Sequence, residues 1–213
     1  MGYDLYWENV PPEIEKEHEQ AREELMAAVK ERDALPWGSD ESKKLHEEKV
    51  LPLIEKDERT HKNYFRLNIW GMGVCRRLMD EREMLEWEAH PGWPTREEFG
   101  VPEELAGEIR LDDEKSYDPK SPAGMYVAAM KHVLEGDTGG PMPAYKLSDN
   151  SGWLVTPEEI KRSLAAYGEN GGKEADAGGV TTIEDGEAAE VEWWPEWIAW
   201  LEEAAKHGGF RVY

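Results

Sequence analysis

Tyr145-Lys146-Leu147-Ser148-Asp149-Asn150-Ser151-Gly152-Trp153-Leu154-Val155-Thr156-Pro157-Glu158-Glu159 is the most strongly patterned part of this 213-residue chain. Two short apolar runs, 145–147 and 153–155, flank a polar turn made of Asp, Asn and Gly. That pattern predicts an antiparallel β-hairpin. Thr156, Pro157 and Glu159 then stand at N-cap, first-turn and N3 positions, a strong helix start, and the helix is expected to run to about Tyr167. Downstream, residues 168–190 are rich in Gly, Ala and acid and read as a mobile acidic loop. A last helix opens near Trp194-Pro195 and stops at Gly208-Gly209. Phe210-Arg211-Val212-Tyr213 alternates like a strand.

Upstream, Asp137-Thr138-Gly139-Gly140-Pro141 reads as a linker after a helix capped by Ser121-Pro122. Tyr3, Leu5 and Trp7 alternate at the N-terminus, which suggests a first strand. Pro11-Pro12 opens a helix from Glu13 to Leu35, and Ser39 caps another that Pro52 kinks or breaks. From Arg59 to Trp87, Tyr64, Leu67, Gly71, Val74, Cys75, Leu78 and Leu85 fall at helical spacing, so this stretch reads as a central helix. Together these elements predict a single, helix-rich α+β domain over 1–213. Its small, mostly antiparallel sheet draws on the two terminal strands and the 145–155 hairpin.

Charge sets the limits on function. Lys and Arg number 25 against 47 Asp and Glu, a formal net charge of −22. Such an excess repels phosphate, so direct nucleic-acid binding and docking on anionic lipid are disfavoured. No run of about 20 apolar residues is present to span a membrane. Disordered acidic chains are poor in aromatics, whereas this one carries ten Trp and eight Tyr, so the charges coat a folded body.

Motifs for chemistry are sparse. The six histidines include no pair at i, i+3 or i, i+4. The Asp112–Asp118 segment places Tyr117 where a calcium loop wants Gly. Cys75 is the single cysteine and sits on an apolar face, the setting of an inert packing residue. No nucleotide cradle or nucleophile elbow occurs, so no cofactor and no catalytic residue is expected.

Three stretches, Tyr64-Phe65-Arg66-Leu67-Asn68-Ile69-Trp70-Gly71-Met72, Ser148 to Glu159, and His207-Gly208-Gly209-Phe210-Arg211-Val212-Tyr213, resemble a group of acidic proteins from actinobacteria and their phages. The resemblance implies a cytoplasmic setting in a bacterial cell. It supplies no site residues.

Two candidate sites remain. Arg66 and Asn68 are polar residues in an otherwise apolar run, and a pocket is conceivable where they meet Asp149, Asn150 and Trp153. It would serve a small-molecule binder or enzyme. The second candidate is the acidic stretch from Glu174 to Glu203, which has ten acids and no Lys or Arg. Trp193, Trp197 and Trp200 would share one helical face while Trp194 turns aside. The plainer reading is a core-facing Trp stripe with a solvated acidic back. The functional reading has Glu184, Asp185, Glu187 and Glu190, with Trp194 as aromatic anchor, engaging a basic protein partner. The leading expectation is a non-enzymatic acidic binding protein, one form of which mimics nucleic acid.

Overall fold

The computed structural model describes residues 2–105, 107–111, 116–172, 176, 179–184 and 187–213. Its fold is α+β, as expected, with a four-stranded sheet in the order β2-β1-β8-β5 and every neighbour antiparallel. The strands are β1 (Gly2–Trp7), β2 (Tyr64–Asn68), β5 (Trp153–Val155) and β8 (Phe210–Val212). The two terminal strands pair directly, with Leu5 opposite Val212 and Trp7 opposite Phe210. Period-two alternation sends Leu5, Trp7, Phe65, Leu67, Val155, Phe210 and Val212 into the core, all buried.

Two of the helices supply much of the rest of that core. Cys75, Leu78 and Met79 come from α4 (Ile69–Glu81), and Trp197, Trp200, Leu201 and Ala204 from α7 (Trp194–Ala204). Trp197 and Trp200 stack at 5.6 Å, and the Phe65 and Phe210 rings meet them edge-on or tilted. Gly209 closes α7 at φ +86° with its N–H on the Ala204 carbonyl; an added Cβ there would run into the Val155 carbonyl.

Outside the sheet, α1 (Pro12–Asp33) packs against a second helical run made of α2 (Asp40–Leu45), a π turn (His46–Val50) and α3 (Leu51–Thr60). Ser39 caps α2, and the π turn stands just before Pro52, which lacks a backbone donor. Next come β3 (Leu85–Glu86), two 3-10 turns (Glu97–Phe99 and Glu103–Leu105), α5 (Pro122–Glu135), capped by Ser121, and β4 (Met142–Pro143). α6 (Pro157–Glu169) starts at Thr156 with both bonds of the capping box formed. No described helix is long and apolar enough to cross a membrane.

Three expectations are corrected. The 145–155 hairpin does not form: Ala144–Leu147 is a 3-10 turn, and β5 pairs with β8 instead. Lys146 explains this, because its ammonium is drawn inside the protein and the turn bends to deliver it. Residues 59–87 are not one helix. Phe65 and Leu67 alternate with Arg66 and Asn68 as β2, and the Asn68 side chain then accepts from Gly71 N–H at 2.7 Å to cap α4. Within 168–190, the described part is not a structureless loop. α6 extends to Glu169, and β6 (Thr181–Glu184) pairs with β7 (Glu187–Glu190) as an antiparallel ribbon. Val180 and Val191 anchor the base of the ribbon in the core.

Candidate functional site

β2 is an edge strand, and a groove of about 340 Å³ runs beside it. Tyr64 to Asn68 form one wall, and Gly71, Trp193 and Glu196 the other. Arg66 and Asn68 therefore do line a depression. Both are exposed and share one sheet face, not the two helical faces expected, since strand residues two apart point the same way. Arg66 Nε stands 3.6 Å from Asp4 Oδ1, and Tyr64 donates its hydroxyl to the same Asp4 oxygen. Burial, then this bond and the Asp4 charge, push the Tyr64 pKa up to about 12.

The 149–153 turn contributes little to this groove. Asn150 reaches across to β1, donating Nδ2 to the Gly2 carbonyl at 2.9 Å. Asp149 is turned inward on its own loop, accepting from Ser151 N–H and from Trp153 Nε1. Trp153 is fully buried and packs on His90, Trp93 and Tyr145, so it is a core ring and not a pocket wall. The five residues proposed as one ligand site thus do not line one pocket: Arg66 and Asn68 lie along β2, Asn150 is tied to Gly2 of β1 opposite Asn68, and Asp149 and Trp153 turn inward at the far edge of the sheet.

The acidic stretch divides as well. Glu184, Glu187 and Glu190 belong to the β6–β7 ribbon, with Glu184 opposite Glu187, and Glu190 is exposed. Asp185 lies outside the described residues. Trp194 is not an exposed anchor: its side chain is fully buried and its indole N–H donates to Asp176 at 2.8 Å. Arg82 and Tyr167 donate to the same carboxylate, and the Arg82 guanidinium lies 5.0 Å above the Trp194 ring. Burial pushes the Asp176 carboxyl up, but these donors outweigh it and hold its pKa below the ordinary carboxylate value. Half-buried Trp193, on the groove wall, is the tryptophan of this helix that faces outward.

Sequence reasoning missed Trp193 and Glu196 as groove residues. The polar–apolar alternation of Tyr64 to Asn68 was the available signal that an edge strand lay there.

Among the described residues, no group of three or more His, Cys, Asp or Glu stands ready to hold a metal. Among the described residues, many cationic side chains stand in ion pairs within the chain. Lys56 binds Glu24 at 2.6 Å, Lys62 binds Glu17, Lys161 binds Glu158, and Arg211 binds both Glu8 and Glu135. Glu97, Glu98, Glu103, Glu104 and Glu108 project from the 3-10 turns and the chain that follows, all exposed. Trp87 and Trp93 stand exposed on the same segment. Comparison of the chain with protein-family models, with curated proteins and with solved structures gives no match.

Proposed function

We propose that this chain is a non-enzymatic acidic binding protein that engages a basic protein partner. The observation that carries this reading is the internal use of its cations. With many Lys and Arg paired to neighbouring carboxylates, exposed acids dominate the surface behind the net charge of −22. A field of one sign accelerates encounter with an oppositely charged partner, and exposed tryptophans give such an encounter something apolar to hold. The resemblance to actinobacterial and actinophage proteins points to a basic protein of the bacterial cell or its phage. Where that partner is a DNA-binding protein, the carboxylates take the place of phosphates.

The test is association of the purified partner, captured from a bacterial lysate, measured over a range of salt. Binding is expected to weaken steeply as salt rises, because exposed charges are screened beyond about 10 Å at 0.1 M. Converting Glu97, Glu98, Glu103 and Glu104 to Gln, or Glu184, Glu187 and Glu190 to Gln, should slow association and leave the circular dichroism spectrum unchanged. Binding that ignores both salt and these substitutions would remove the acidic-surface reading.

A further inference from the structure

The hydrogen-bond pattern of β1 fixes which backbone groups of β2 are left over. Asp4 exchanges both of its backbone bonds with Tyr213, at 2.7 and 2.8 Å, so even-numbered β1 residues face β8. Trp7 N–H reaches the Asn63 carbonyl at 3.0 Å, so odd-numbered residues face β2. In an antiparallel ladder this alternation carries through, and Leu5–Phe65 and Tyr3–Leu67 are the bonded pairs. The N–H and C=O of Arg66, and the Tyr64 carbonyl, then point away from β1 into the groove. Tyr64 N–H is already taken by His61.

Natural sheets usually block such an edge with another element. Here the groove lies open along β2, with half-buried Trp193 on its opposite wall, and Ile69 and Trp70 follow at its end, 49% and 83% exposed. We propose that this edge is a docking site in which an extended segment of a basic protein adds to β2 as a fifth strand of the sheet. The proposal rests on the acidic-binding reading above.

Charge selects the occupant. A second copy of the chain fits badly: pairing β2 with itself about its central residue sets Arg66 against Arg66, and two bodies of net charge −22 repel. A basic segment is complementary. Exposed Glu196 on the groove wall, with exposed Glu192 nearby in sequence, suits a Lys or Arg on the inward-facing side of the added strand. An apolar residue two positions away on that same side would cover Trp193. The outward side, which meets Arg66, suits a neutral residue such as Thr. β2 spans five residues, enough for a segment of about 17 Å at 3.4 Å per residue.

The probe is the peptide acetyl-KTVTKTVTK-amide, which places Lys and Val on one face and Thr on the other, titrated into the full chain by calorimetry. Two N-methylated versions carry methyl groups on alternate amides, one on the Thr set and one on the Lys/Val set. One version should lose binding and the other keep it, because only one alternate set of amides faces β2. The Arg66 amide should become protected from hydrogen exchange when the parent peptide binds. Glu196→Lys, an exposed change, should weaken the parent peptide by about tenfold. If both methylated peptides bind like the parent with a steep salt dependence, the edge assignment is overturned and the acidic-surface reading stands. If the peptide does not bind at low salt while the captured basic partner does, the edge assignment is likewise overturned. If neither binds, both readings fall.

Discussion

Lys146 Nζ lies 2.9 Å from both carboxylate oxygens of Glu159, and neither side chain reaches solvent. The ammonium also donates to the carbonyls of Gly136 and Leu154. Glu159 in turn accepts from Thr156 N–H at 2.8 Å as the N3 member of the capping box. This one pair therefore ties together the 3-10 turn, the end of α5, strand β5 and the start of α6. Burial pulls the Lys146 pKa down and the adjacent carboxylate opposes it, with the net below the ordinary lysine value.

Removing one partner leaves the other charge buried and unmatched. Lys146→Met should cost about 3–5 kcal/mol in urea unfolding. The double variant Lys146→Met with Glu159→Gln removes the stranded charge while keeping a carbonyl for the cap, so it should be more stable than Lys146→Met alone. Additive losses in this cycle would show that the two groups are not coupled.

Trp200 is 7% exposed and packs among Trp7, Phe65, Trp197 and Phe210. Trp200→Ala should cost about 3–5 kcal/mol, the range for deleting a large core ring. A loss below about 1 kcal/mol would mean that α7 does not hold the sheet.

His61 stacks on His18 at 4.0 Å between α1, α3 and the sheet, with Tyr64 on its other side. Burial, then the His18 charge and to a smaller extent Arg22, hold its pKa below the ordinary 6.5; Asp57 of α3 pulls the other way. The unfolded chain therefore binds this proton more readily than the folded one. Stability from the neutral ring is present above pH 6.5 and is lost as pH falls below it. His61→Phe keeps the stacking area and should flatten the loss of stability measured by urea unfolding on either side of that pH. An unchanged slope would show that His61 takes up its proton equally in both states.

Cys75 is fully buried beside Met79, and burial pushes its thiol pKa well up. A thiol-alkylating reagent should leave the native chain unmodified and react quickly in denaturant. Fast native labelling would place α4 away from the sheet.

Local chemistry was legible where it is settled within a few residues. Ser39, Ser121 and Thr156 cap helices because a hydroxyl can reach an N–H three residues on, whatever the rest of the chain does. The alternation of Leu5 and Trp7, and of Phe210 and Val212, likewise announced strands with one buried face. The Trp stripe of α7 announced a core helix.

Partner choice was not legible, because it is a competition between distant segments. The run at 145–147 has strand-like composition, yet β8 takes the place beside β5, and burial of Lys146 against Glu159 makes the turn the better use of those residues. Tyr64 to Asn68 satisfies both a helical and a period-two pattern, and pairing with β1 is what selects the strand. For the candidate site the same holds. Sequence located Arg66 and Asn68 and the acidic, tryptophan-rich C-terminal region. Tertiary structure set the open β2 edge beside Trp193 and Glu196, turned Trp194 inward to Asp176, and buried Trp153. Caps and periodicity are properties of neighbouring residues, whereas an exposed edge depends on where distant segments go, and none of the described ones pairs with the outer side of β2.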